Sequence, residues 1–132
     1  NGKIMTRLQK ELLALRPQLA AAAQQVYDGW EGDGEDPELG SGGICDEVAE
    51  IMGNVLSEKV ADIEIFDGGQ EGDDHAWVVA QRDGEAYGID IPPGVYESGG
   101  GYNWRKKTGV VIQPDHVVVF PVPVQEDGYE DA

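Results

Sequence analysis

The first part of the chain carries a helical pattern of apolar positions. Four leucines recur at spacings of three and four, which places them on one helical face: Leu8, Leu12, Leu15 and Leu19. Together with a run of alanines they predict helix over residues 5–27, with the leucine face packed in the core. Proline disrupts a helix interior but is tolerated in a first turn, so Pro17 predicts a kink or the start of a second helix.

A second amphipathic helix is predicted over residues 44–58, after a loop over residues 28–43 that is rich in Gly, Asp and Pro. The acids of this loop do not follow the ligand spacing of an EF-hand, so a calcium site is not predicted. Ser41 is a candidate cap, and the two acids after Cys45 suit the positive end of the helix dipole. Cys45 therefore lies in the first turn of this helix.

From residue 60 onward the period of apolar positions changes to two, which is typical of strands. Strands are predicted over residues 60–66, 75–81, 85–91 and 116–124. The Asp-Gly pair at residues 83–84 predicts a tight hairpin turn between the second and third of them. Pro121 and Pro123 place the last strand at a sheet edge. Helices followed by antiparallel strands predict an α+β fold, with N-terminal helices packed on a small antiparallel sheet.

The length of 132 residues suits one domain with one core, predicted over residues 5–124. Residues 125–132 form an acidic tail, and residues 1–4 are interpreted as a remnant of processing ahead of a start at Met5. The longest apolar run, VVVFPVPV, is short and broken by prolines, and no signal peptide is visible, so a cytoplasmic protein without membrane association is predicted. A single cysteine forms no internal disulfide.

The charge is strongly acidic, with 26 Asp and Glu against 9 Lys and Arg and a formal net charge of −17. Such a chain repels phosphate backbones and anionic lipids, so ordinary nucleic-acid binding is not expected. Three interpretations of the charge stay open. It serves solubility or adaptation to salt, it attracts a basic partner or substrate, or it mimics nucleic acid to block a DNA-binding protein.

Cys45 is the candidate nucleophile of the chain. A thiol attacks a carbonyl as thiolate, and both a helix N-terminus and a neighbouring imidazole lower the pKa of a thiol. His75 opens a predicted strand directly after a loop, at a sheet edge where a pocket can form, and His116 is the rival base. The alternatives are that Cys45 is a small buried apolar residue or that it joins both histidines in a metal site, which the scattered spacing supports weakly.

The predicted hairpin places a carboxylate beside His75. A catalytic imidazole needs an acceptor on its far nitrogen. A turn at residues 83–84 sets position 92 opposite His75, so Asp90 is a diagonal neighbour, and the two-residue period of strands puts both side chains on one face. Cys45, His75 and Asp90 therefore form a candidate triad.

Two stretches, GGICDEVAEIM and DDHAWVVAQRDGEAYGIDIPP, resemble the transglutaminase-like branch of the papain-like cysteine enzymes. The matching residues follow that branch's Gly-x-Cys helix start, His-Ala-Trp strand and Asp-Pro-type turn: Gly43, Cys45, Ala49, His75, Ala76, Trp77, Asp90 and Pro92. The resemblance implies a papain-like core with Cys45 as nucleophile, His75 as general base and Asp90 as orienting group. The chain departs from the family in the short segment between Cys45 and His75, and in Ile91, which separates Asp90 from proline.

These residues predict a thiol-dependent acyl-transfer enzyme, foremost a small cysteine peptidase or amidase with a thioester intermediate and neither metal nor cofactor. Transglutaminase and glutamine deamidase share this chemistry. The expected substrate is a protein or peptide, and the acidic charge is compatible with a basic one. The alternative from a different class is a non-enzymatic acidic interaction protein of phage or bacterial type, such as a nucleic-acid mimic or an inhibitor.

Further groups are candidates for the surroundings of the thiol. The backbone N–H of Cys45 is one expected oxyanion donor, and the second is either Trp30 Nε1 or an amide near residues 40–42. Trp77, Tyr102 and Trp104 are predicted either to line an acyl pocket or to pack in the core. The glycine-rich stretch ESGGGYNW is a candidate lid.

Overall fold

The computed structural model describes residues 5–30, 44–69, 75–98 and 105–125. Over these residues the protein is α+β, as predicted, with three α-helices ahead of a four-stranded antiparallel sheet. The helices are α1 (Arg7–Ala14), α2 (Arg16–Gly29) and α3 (Cys45–Lys59). The strands are β1 (Glu64–Gly69), β2 (Ala76–Arg82), β3 (Glu85–Asp90), β4 (Glu97–Ser98), β5 (Arg105–Lys106) and β6 (Val118–Pro121). Strands β4 and β5 pair separately as a small ribbon.

The N-terminal helical region is divided in two at Leu15, and Pro17 stands in the first turn of α2. This is the second of the two outcomes that the proline predicted, because a first-turn proline sacrifices no helical hydrogen bond. The Thr6 side chain caps α1 by accepting a hydrogen bond from the backbone N–H of Gln9 at 3.1 Å. Three of the four predicted leucines are fully buried, and Leu15 packs against them at the helix boundary.

The sheet has the strand order β1-β2-β3-β6, with all neighbours antiparallel. Asp83 and Gly84 both have positive φ, at 54° and 80°, which is the backbone of a type I′ hairpin turn. The turn pairs Val78 with Ile89, and this is the register that the sequence predicted. Strand β6 lies at one edge of the sheet, as predicted, but it ends at Pro121, ahead of the predicted end at residue 124.

Two strands begin later than the alternating pattern indicated. Strand β1 starts at Glu64, because α3 continues to Lys59 and a turn with Asp62 at φ 61° follows it. Strand β6 starts at Val118, because residues Pro114–His116 form a single 3-10 turn. Local hydrogen bonding in these turns therefore takes precedence over the apolar alternation.

The helices cover one face of the sheet and bury its apolar side chains together with their own: Val78, Ala80, Tyr87 and Ile89 join the leucines of α1 and α2 and the apolar stripe of α3 in one core. Helix α3 approaches the sheet closely at Gly53, where a Cβ would lie 3.4 Å from Ile65 and 3.5 Å from Val78. This packing sets the N-terminus of α3 beside the start of β2.

The chain that follows β6 contacts the opposite face of the sheet at Gln81. The Gln81 side chain is buried and bonds both backbone groups of Gln125, accepting its N–H at 2.7 Å and donating to its carbonyl at 3.0 Å. The rings of Trp77 and Phe120 meet edge to face at 6.0 Å on this side. Within the described ranges, no helix has the length and apolar character needed to cross a lipid bilayer.

Candidate functional site

The hairpin brings His75 and Asp90 into contact. His75 immediately precedes β2, and Asp90 is the last residue of β3. His75 Nε2 lies 2.8 Å from Asp90 Oδ2, a hydrogen-bonding distance. The two side chains are 26% and 14% exposed, so the pair is largely shielded from water. The contact is the one that the hairpin register predicted.

The second ring nitrogen of His75 is left available. Nδ1 is buried and has no hydrogen-bond partner among the described residues. A buried polar atom without a partner is uncommon and calls for a reason. The imidazole also lies 5.5 Å from the Trp77 ring, at a tilt of 54°. The hydrogen bond of Nε2 with Asp90 and the contact with the Trp77 indole fix the orientation of the imidazole, so Nδ1 points in one direction.

Cys45 is the first residue of α3, as the sequence predicted, and is half-buried. Its sulfur is close enough to the backbone N–H of Ala76 to accept a hydrogen bond from it, and its own backbone N–H also favours the thiolate. Ala76 follows His75 directly in the chain, so the thiol and the imidazole lie at the same end of β2. Since Nδ1 has no partner among the described residues, the two side chains are not hydrogen-bonded to each other.

The pKa of the Cys45 thiol is raised, and this corrects the sequence-based expectation of a thiolate stabilised by the helix start. Burial is the largest cause, and the negative charges of Asp46 and Glu97 add to it. The hydrogen bond from the Ala76 N–H opposes this rise in pKa; it is weaker than burial but stronger than either of the two charges. The resting protein therefore holds a protonated thiol.

Tyr96 and Glu97 are further described residues near the thiol. Tyr96 is fully buried, and its hydroxyl has no hydrogen-bond partner within the described residues. Burial raises the pKa of the Tyr96 hydroxyl, and charges on Cys45, Glu97 and Asp90 raise it further. Burial likewise raises the pKa of the Glu97 and Asp90 carboxyls, which the nearby His75 opposes in both cases. These acidic groups share one poorly solvated region, so a charge on one disfavours a charge on the next.

Sequence reasoning did not identify Tyr96 or Glu97 as site residues. They lie in a stretch without helical or strand period, directly after the 3-10 turn Pro93–Val95. The available signal was their position a few residues beyond Asp90, at the end of the strand that carries the candidate orienting group.

The predicted aromatic residues divide into three cases. The Trp30 ring packs edge to face against Tyr96 at 6.2 Å and against Tyr27 at 6.5 Å, so it supports the wall behind the site. Trp77 is half-buried beside His75. The candidates Tyr102 and Trp104, the cap candidate Ser41 and the amides of residues 40–42 lie outside the described residues.

His116 does not join the His75–Asp90 pair and instead caps a turn close to it in the chain. Its Nδ1 accepts a hydrogen bond from the backbone N–H of Gln113 at 2.8 Å, which caps the 3-10 turn before β6. In the described part of the chain, no group of three or more His, Cys, Asp or Glu side chains is arranged to hold a metal ion.

A groove of about 630 Å³ lies beside the thiol, between α3 and strands β1 and β2. One end of the groove is formed by Asp46 and Ala76. Asp46 follows Cys45 in the chain, and the backbone N–H of Ala76 approaches the Cys45 sulfur. Its lining also includes Glu50 from α3, Asp67 from β1 and Trp77 from β2. The candidate nucleophile is therefore next to a cleft large enough for a side chain with its peptide backbone.

Comparison of the chain with protein-family models, with curated proteins and with solved structures found no match in any of the three.

Proposed function

We propose that the protein is a thiol-dependent acyl-transfer enzyme, most simply a small cysteine peptidase or amidase, that acts through Cys45, His75 and Asp90. The observation that carries the proposal is the 2.8 Å contact between His75 Nε2 and Asp90 Oδ2 with Nδ1 left without a partner among the described residues. A histidine held by a carboxylate on one nitrogen has its other nitrogen directed for proton transfer.

The finer description of the fold belongs to the same proposal. A helix that starts at the cysteine packs on adjacent antiparallel strands that carry the histidine and the aspartate. This order and adjacency support a small papain-like core of the transglutaminase-like branch, in line with the resemblance of the motifs.

The raised pKa of the thiol decides how the nucleophile would be activated. Because Cys45 rests as a thiol, its proton passes to His75 Nδ1 as the sulfur attacks the substrate carbonyl. Asp90 accepts the Nε2–H and stabilises the imidazolium. The Cys45 backbone N–H, at the helix start, serves as one donor to the oxyanion.

The remaining steps follow from the same groups. The tetrahedral intermediate collapses when its C–N bond breaks, and the amine leaves with the proton from Nδ1, which gives a thioester on Cys45. Water then gives a proton back to Nδ1 and attacks the thioester, which releases a carboxylic acid and restores the thiol. An amine in place of water makes the same intermediate a transglutaminase reaction, and a glutamine side chain as acyl donor makes it a deamidation.

A second candidate function is an acidic binding protein without catalysis, and the observation in its favour is the net charge of −17. A protein of this class attracts basic partners by long-range electrostatics alone. It requires neither the thiol nor the imidazole, so the two functions differ in their dependence on Cys45 and His75.

Hydrolysis of p-nitrophenyl acetate separates the two functions without a known substrate. We expect a burst of one nitrophenolate per protein, acetylation of Cys45 by mass spectrometry, and continued turnover. Cys45→Ala removes both phases, and His75→Asn or Asp90→Asn lowers turnover by about 10²- to 10⁴-fold. His116→Asn is the matched control and leaves the rate unchanged. Acetylation that never turns over, or equal loss in both histidine variants, contradicts the enzymatic proposal.

A further inference from the structure

We propose that the groove beside Cys45 binds a lysine or arginine side chain of the substrate, next to the acyl group that the thiol attacks. The substrate is then a basic peptide or protein. This inference rests on the proposed function and specifies its substrate class.

The groove begins beside Cys45. Asp46 follows Cys45 in the first turn of α3, and the Ala76 N–H is the group that approaches the sulfur. Both residues line the groove, so its near end is formed by two neighbours of Cys45, while Cys45 itself is not among its described lining residues. From there it follows α3 to Asn54 and Ser57. A substrate acylated at Cys45 therefore has a neighbouring side chain within reach of the groove.

The lining of the groove is negatively charged. Three exposed carboxylates line the groove, Asp46 and Glu50 one helical turn apart on α3 and Asp67 opposite them on β1. Among the described residues that line it there is no Lys, Arg or His. No hydrogen bond or ion pair joins these carboxylates to another side chain in the described ranges. The carboxylates therefore leave a negative charge that a cationic side chain complements.

The shape of the groove suits a lysine or arginine side chain. Small residues open the groove at several points along its walls: Ala49, Gly53, Gly68 and Ala76. Ile65 and Val78 supply apolar surface between the carboxylates. A lysine or arginine combines an apolar stem with a cationic end, and these two parts match the apolar floor and the acidic rim.

Peptide binding to the Cys45→Ala protein tests this inference without any need for turnover. The probe is a fluorescein-labelled hexapeptide of alternating Lys and Gly, with a Glu-Gly peptide as its negative counterpart, measured by fluorescence anisotropy. The groove variant is Glu50→Gln with Asp67→Asn. The matched control is Glu58→Gln with Glu64→Gln, which removes the same charge from exposed positions on the same helix and strand, outside the groove.

We expect the groove variant to weaken binding of the Lys peptide by about 3- to 30-fold, and the control variant by less than about 2-fold. In the unmodified protein, the same peptide slows alkylation of Cys45 by iodoacetamide. An equal loss in both double variants shows that binding follows net charge alone and overturns the inference, as does the absence of binding. Circular dichroism verifies the fold of each variant, and Glu50→Gln alone, on an exposed helix position, serves if the double variant unfolds.

The result of the peptide-binding experiment is independent of the result of the ester-hydrolysis test of the proposed function. Binding with groove specificity but no Cys45-dependent ester turnover supports the basic ligand and rejects the enzyme. Turnover without groove-specific binding retains the enzyme and rejects this substrate class.

Discussion

At the residue scale, the environment of one sulfur decides how the protein would work. A cysteine at a helix start ordinarily gains from the backbone N–H groups there. In this protein the same cysteine is half-buried and close to carboxylates on both sides, and its pKa is raised. The thiol therefore does not rest as an anion, and in the proposed mechanism its proton passes to His75 at the moment of attack. Nearby charges should therefore change the pKa of the Cys45 thiol.

Glu97→Gln is expected to lower the pKa of Cys45, because it removes a negative charge that disfavours the thiolate. At neutral pH the variant should then react faster with iodoacetamide. The measurement is the alkylation rate against pH, followed by mass spectrometry, with Glu58→Gln on the exposed side of α3 as the control. An unchanged or higher midpoint for Glu97→Gln would mean that its carboxylate does not act on the thiol.

Tyr96→Phe is expected to leave the free energy of unfolding unchanged or to raise it by up to about 1 kcal/mol, because the lost hydroxyl is buried and unpaired among the described residues. Tyr27→Phe is the control. The Tyr27 hydroxyl donates to the Lys107 carbonyl and accepts from the Val110 N–H, so its loss should cost about 1–2 kcal/mol. Urea denaturation measures both, and a larger loss for Tyr96→Phe would reveal a partner for its hydroxyl.

At the element scale, the β2–β3 hairpin builds the His75–Asp90 pair. Its tight turn fixes the register that sets Asp90 diagonal to His75, and a slip by one residue would send one of the two side chains to the other face. Helix α3 then supplies the sulfur, because its close approach at Gly53 brings its first turn to the start of β2. The site therefore depends on the turn as much as on the three side chains.

Gly84→Ala is expected to destabilise the protein by about 1 kcal/mol, because Gly84 has φ of +80°, where an L side chain is strained. Gly94→Ala is a matched control. A Cβ meets nothing within 4 Å at either position, and Gly94 has no such φ. Urea denaturation should therefore show little change for Gly94→Ala. Equal effects of the two substitutions would contradict the strain argument for the turn.

At the scale of the whole molecule, the excess of acidic groups opposes folding and makes stability depend on pH and salt. With a net charge of −17, the folded chain repels itself, and folding also buries carboxyls near the site. The pKa of Asp90 and Glu97 is raised on folding, so their contribution to stability is fully present below their unfolded pKa and is lost as pH rises through the folded value. Glu11, paired with Arg82 and with a lowered pKa, acts in the opposite sense.

We therefore expect the free energy of unfolding to be higher at about pH 5 than at pH 7, and added NaCl up to about 1 M to raise it at pH 7 by screening. Urea titrations at these conditions measure both effects. Asp90→Asn with Glu97→Gln should flatten the pH dependence in this range, because it removes the two titrating groups. Stability that climbs steadily from pH 5 to pH 8 would contradict this account.

Local features of the fold were more predictable than the places where neighbouring turns compete with the apolar pattern. The helical face of Leu8, Leu12 and Leu19, the break at Pro17 and the hairpin register were predictable, because each depends on residues within a few positions of one another. The starts of β1 and β6 were misplaced, because turns outweighed the apolar alternation there.

For the site, the sequence by itself determined the contact of His75 with Asp90 and the position of Cys45 at a helix start, since a tight turn and two regular periods are local properties. Only the tertiary structure decided the protonation of the thiol, the neighbours Tyr96 and Glu97, and the acidic groove. Each of these depends on burial and on charges from segments distant in the chain. A pattern along the sequence does not record desolvation, so the direction of the thiol pKa could not be predicted from it.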